Sequence, residues 1–107
     1  MLNKHSGQIL VGARVTDVET VEDYLQITFD NGARLSVFNR YAPLGLRGDD
    51  VRLLISKTVA RIEDADNFFS MHLTGSVGLR VGLEDADYVG PEAMYLTSAD
   101  GRHIVWP

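Results

Sequence analysis

A chain that states one pattern twice is confined to folds that use one supersecondary unit twice, and this chain does so. Moving residues 8–38 forward by 44 positions sets apolar residue on apolar residue without a gap. Leu10 falls on Leu54, Val11 on Ile55, Val15 on Val59 and Val18 on Ile62. Tyr24 falls on Phe68, Leu25 on Phe69, Ile27 on Met71, Phe29 on Leu73, Leu35 on Leu79 and Val37 on Val81. Only Leu10, Val15, Glu19, Leu35 and Val37 are identical to their partners, so pattern is repeated more than letters. The expectation is one domain over residues 1–107, with its internal repeat at 8–38 and 52–82 and most of these side chains given to packing.

Each copy reads as three strands. The β-branched run from Ile9 to Val18 predicts a first strand. Leu25, Ile27 and Phe29 then alternate with Tyr24, Gln26 and Thr28, the period of a half-buried strand. Asp30-Asn31-Gly32 turns the chain, since Asn and Gly tolerate positive φ, and Leu35 and Val37 return on the face of Phe29. Residues 39–48, with Pro43, Gly45 and Gly48, read as a loop. Asp49 or Asp50 caps one or two helical turns over 50–56, with a longer helix through Arg61 as the alternative, and the repeat register makes Lys57 to Ile62 a strand. Phe68 to Leu73 and Leu79 to Leu83 complete the second copy. Residues 94–97 and 102–106 form a closing hairpin about the Ser98-Ala99-Asp100-Gly101 turn. The fold class expected is mainly β (α+β), an antiparallel meander of two three-stranded units with one or two short helices and a C-terminal hairpin.

At 107 residues with 45% apolar content the chain can bury roughly two-thirds of its unfolded surface without staples. It has no cysteine, which excludes thiolate chemistry and suits a reducing compartment. No run approaches the ~20 apolar residues that span a bilayer. Met1 to Gly7 lacks the apolar stretch of a signal peptide, so the expected location is cytoplasmic. A net charge of −5 argues against direct binding to nucleic acid and suits a basic partner.

Three acidic segments are candidates for function: Glu19-Thr20-Val21-Glu22-Asp23, Glu63-Asp64-Ala65-Asp66 and Glu84-Asp85-Ala86-Asp87. None has the spacing of an EF-hand loop, and none offers the apolar pocket that a glycosidase acid requires. They read as turns, and the first two occupy equivalent positions of the repeat. An acidic rim at Glu19, Glu22, Asp23, Glu63, Asp64 and Asp66 would complement Lys and Arg on a partner. Alternation turns Tyr24, Phe38 and Phe68 away from the core, where aromatic side chains can anchor an interface. His5, His72 and His103 show no metal-ligand spacing, and His72 faces solvent. Gly75-Ser76-Val77-Gly78 lacks the Gly-Lys-Ser/Thr ending of a phosphate loop and reads as a hairpin turn. Neither a metal, a cofactor nor a catalytic set is expected.

Leu-Val-Gly-Ala-Arg-Val at 10–15, Leu-Gln-Ile-Thr-Phe-Asp-Asn-Gly at 25–32, the second copy, Gly-Pro-Glu-Ala at 90–93 and Val-Trp at 105–106 together resemble small bacterial cytoplasmic proteins. Some of these look like immunity proteins of contact-dependent growth inhibition and related polymorphic-toxin systems. The second hairpin departs from them, with Thr74-Gly75-Ser76-Val77-Gly78 in place of an Asp-Asn-Gly turn. The resemblance implies a stoichiometric inhibitor of a toxin, often a nuclease, and no enzymatic activity; it carries over no functional residue. Two other readings are a small-molecule-binding or enzymatic β domain using His72, Arg80 and Tyr24, and a module that self-assembles through edge strands.

Overall fold

A computed structural model describes residues 6–107. The protein is mainly β, with nine strands in two antiparallel sheets among the described residues. The strands are β1 (Val15–Val21), β2 (Tyr24–Phe29), β3 (Arg34–Val37), β4 (Tyr41–Leu44), β5 (Val59–Asp64), β6 (Phe68–Leu73), β7 (Val77–Gly82), β8 (Met94–Thr97) and β9 (His103–Trp106). Their order is β1-β2-β3-β8-β9 in one sheet and β4-β7-β6-β5 in the other. Helical structure is limited to 3-10 turns at Ser6–Leu10, Val51–Leu54 and Asp85–Asp87. No helix among the described residues is long and apolar enough to cross a membrane.

The sheets share one core, in which the inward positions of β2 (Leu25, Ile27, Phe29) and β6 (Phe69, Met71, Leu73) are buried. Trp106 is 1% exposed and meets the Phe69 ring edge-on, with centroids 5.5 Å apart. This ring pair ties the closing hairpin to the opposite sheet.

The 44-residue offset reappears bond by bond where the units meet. Gly12 donates its N–H to Val59 O and Ser56 to Val15 O, both at 2.8 Å. Val15 donates to Lys57 O and Val59 to Ala13 O, again both at 2.8 Å. An isolated bridge between Arg14 and Thr58, themselves equivalent, lies between these bonds. Each first strand also carries its irregularity at the same place, between Val15 and Asp17 and between Val59 and Arg61.

The fourth strands cross over. β4 follows β3 along the chain but pairs with β7, while β8 follows β7 and pairs with β3. These two strands are offset by 53 positions (Tyr41 to Met94), nine more than the 44 of the units, because the β7–β8 connection is longer.

Several sequence expectations need correction. The first strand begins at Val15, and Ser6–Leu10 winds into a 3-10 turn that buries Leu10. Glu19 belongs to β1, opposite Gln26, and the turn shrinks to Glu22 and Asp23, with Glu22 at φ 51°. β-branched Val18, Thr20 and Val21 carry the strand through the acidic stretch. Glu63 and Asp64 likewise lie in β5. The 39–48 connector contains β4, an edge strand that accommodates Pro43 opposite Leu79. The helical turn at 51–54 is capped by Asp50, whose carboxylate accepts the Arg52 N–H at 3.1 Å. It stops at Ile55, so the helix through Arg61 does not form.

Candidate functional site

The β7–β8 connection is where the symmetry of the two units fails, and it builds the most apolar concavity among those described. At the start of this connection Asn39, 2% exposed, donates from Nδ2 to Gly82 O at 2.8 Å. Arg40 N–H donates to Asp87 O at 2.9 Å, and Leu83 N–H to Asn67 O at 3.0 Å. Glu84 and Asp87 close a capping box about the short acidic turn. The end is fixed by Phe38 N–H and Asn39 N–H, which donate to Ala93 O, and by Ala93 N–H, which donates to Trp106 O. Between these anchors, Tyr88 Oη donates to Pro107 O at 2.7 Å, and Val89 to Glu92 lie against β2.

Asp23, Tyr24, Phe38, Val89, Gly90, Pro91 and Glu92 line a pocket of about 250 Å³. Tyr24 and Phe38 form its aromatic wall, their centroids 5.2 Å apart and their planes at 54°. Val89 is 69% exposed, the most exposed large apolar residue described. Asp23 and Glu92 supply the charge, and neither is ion-paired among the described residues.

A second, polar groove runs along β1, the open edge of its sheet. Asp17, Glu19, Asp49 and Asp50 line it together with Tyr41 and Arg52. Arg52 is paired with Asp50 at 3.5 Å, so the groove keeps a net negative charge. Charges on an exposed edge also discourage pairing with a second chain. Groove and pocket share the β1–β2 hairpin, so an acidic strip runs from Asp17 to Asp23.

The equivalent surface of the second unit is occupied internally. Glu63 Oε1 accepts from His72 Nε2 at 2.8 Å and from Arg61 Nη1 at 3.1 Å. The hydrogen bond from His72, followed by the charge of Arg61, holds the Glu63 carboxyl below its ordinary pKa despite some desolvation. Arg80 donates from Nε to Ser70 Oγ at 3.0 Å and lies over the Phe68 ring, 4.2 Å from its centroid. Asp64 accepts the Trp106 indole N–H at 3.3 Å, a packing role rather than a docking one. Asp66 stands in the exposed turn before β6.

The expected site residues therefore divide. Asp23, Tyr24 and Phe38 meet in the pocket, and Glu19 lies in the adjacent groove, with Glu22 exposed in the turn between them. Glu63, Asp64, Asp66 and Phe68 belong to the other sheet and its turn. His72 and Arg80 are on that sheet too, apart from Tyr24, so the constellation needed for a ligand-binding β domain does not assemble. His103 lies on β9, where its ring packs against Tyr95 at 5.2 Å, and His5 falls outside the described residues. Among the described residues no group of three or more His, Asp or Glu side chains could hold a metal ion. Hydropathy alone missed Val89 to Glu92; the exposed valine before Gly-Pro was the available signal. Comparison with protein-family models, curated proteins and solved structures finds no match.

Proposed function

We propose that this chain is a stoichiometric inhibitor that binds and neutralises a cognate toxin in the cytoplasm of the producing cell, as an immunity protein. The partner is a basic protein of nuclease type, and the chain acts by occupancy rather than turnover. The observation carrying this reading is the open Tyr24–Phe38 pocket with its unpaired carboxylates Asp23 and Glu92, set beside the acidic β1 edge. An aromatic anchor ringed by charge is the composition of a protein-binding hot spot, and the surrounding field accelerates encounter with a basic partner. The sequence resemblance to immunity proteins points the same way. A small-molecule-binding or enzymatic β domain is the alternative, but it lacks the polar groups that would converge on a ligand in this pocket.

The test is co-expression with the product of the neighbouring reading frame, followed by purification at low and high salt. A one-to-one complex that silences a nuclease supports the proposal, with association slowing as salt rises. Tyr24→Ala should weaken that complex by about 2 kcal/mol, roughly thirtyfold in Kd. Glu19→Lys and Glu22→Lys should slow association more than Glu63→Lys, whose carboxylate is already engaged. Absence of binding by the folded protein, or association indifferent to salt, overturns the reading.

A further inference from the structure

The two units place equivalent aromatic residues, Tyr24 and Phe68, at the start of their middle strands. What each ring meets differs. Phe68 carries the guanidinium of Arg80 at 4.2 Å, held there by the bond from Nε to Ser70. In the first unit the position of Arg80 belongs to Ser36, whose side chain is too short to cover a ring. Phe38 stands where the second unit has Gly82, a position closed by the chain itself: a Cβ at Gly82 would come within 2.1 Å of Asp87 Oδ2. One unit thus satisfies its aromatic with an internal arginine, and the other leaves two tilted ring faces beside an open cavity.

We propose that the Tyr24–Phe38 pocket receives an arginine side chain projecting from the partner protein. This deepens the neutralisation reading by naming what the partner inserts, and it rests on that reading for the partner's identity. The pocket matches such a side chain in three respects. Its wall of Tyr24, Phe38, Val89 and Pro91 suits the methylene stem. Its ring faces attract a planar cation, which stacks as the Arg80 guanidinium does on Phe68. Its rim holds Asp23 and Glu92, carboxylates with no cationic partner among the described residues, and guanidinium N–H groups donate well to carboxylates. A neutral apolar side chain would satisfy only the first condition, and an acidic one would be repelled by the rim.

The test needs no toxin. The full chain is titrated with n-butylguanidinium, n-butanol and n-butyrate, which share a four-carbon stem and differ in head group, while backbone amide shifts are followed by NMR. The expected result is saturable shifts at Asp23, Tyr24, Val89 and Glu92 with the guanidinium, and weaker ones with butanol and butyrate. The double variant Asp23→Asn/Glu92→Gln should raise the guanidinium's dissociation constant about fivefold, while a control at Glu63→Gln leaves it unchanged. Butanol binding as tightly as the guanidinium, no saturable shift, or a double variant that binds like the parent each overturns the proposal. If the pocket binds guanidinium while no toxin is neutralised, the functional reading fails and the pocket's specificity stands. Neutralisation without guanidinium binding has the opposite meaning.

Discussion

At the scale of single residues, two copies of one pattern keep the same interior and diverge on their outer faces. Leu35 and Leu79 are both fully buried, whereas Ser36 and Arg80 beside them do unrelated work. Glu19 and Glu63 are identical letters with different fates: one lines an open groove, the other is gripped by His72 and Arg61. That grip has a consequence for acid stability. Because the folded pKa of Glu63 is lowered, its contribution is present above the ordinary glutamate value of about 4.3 and is lost as pH falls through the lowered folded value. Glu63→Gln should therefore be less stable than the parent near neutral pH, and the gap should close on acidification. Urea titrations at pH 7 and pH 3 measure it; a gap that stays constant would remove the linkage. Asp100, lowered by the Ser98 hydroxyl and then by Arg102, acts in the same direction at the closing turn and is common to both proteins. Asp64 shows a limit of sequence reading. An acidic residue in a charged run looks like surface, and nothing local reveals an indole donor 42 positions away.

At the scale of elements, strands with alternating burial were legible and strands lacking it were not. Leu25, Ile27 and Phe29 announce β2 because one of its faces is dry and the other wet. β4 is an edge strand with no fully buried residue and a proline, so its sequence carries no period. Nor does periodicity encode which sheet a strand joins, which hid the crossing of β4 and β8. The pocket was half legible for the same reason: Tyr24 and Phe38 stand out by alternation, but Val89 to Glu92 come from a connection without one. Equivalence between units also exposes local strain. Gly12 and Gly32 adopt φ of 90° and 85°, while their counterparts Ser56 and Ser76 adopt 77° and 61° with a Cβ attached. A left-handed conformation costs a non-glycine residue about 1 kcal/mol. Ser56→Gly and Ser76→Gly should each stabilise the protein by about 0.5–1 kcal/mol in chemical denaturation, even though glycine is ordinarily unfavourable through the unfolded chain. A loss of stability at both sites would show that the serine side chains compensate for the strain.

At the scale of the whole molecule, the crossing of the fourth strands makes each sheet a joint product of both halves. β3 has its outer neighbour from the second half, and β7 has its outer neighbour from the first. Neither sheet can open without stripping a strand from a ladder to which the other half contributes, so the two should unfold together. Native-state hydrogen exchange tests this directly. Amides of β2–β3 and of β6–β7 should share one opening free energy and one denaturant dependence, and a separate, lower-energy opening of either sheet would contradict it.

The same crossing changes what a break in the chain would mean. A single cut in the exposed connection between Gly45 and Asp49 would leave one fragment bearing β1–β4 and another bearing β5–β9. Because each fragment lends a strand to the other's sheet, the pieces would elute together in size exclusion as a non-covalent heterodimer. Only strong denaturant would part them. A protease that nicked the chain there would remove its continuity while sparing its docking face, which draws Asp23, Tyr24 and Phe38 from one fragment and Val89 to Glu92 from the other.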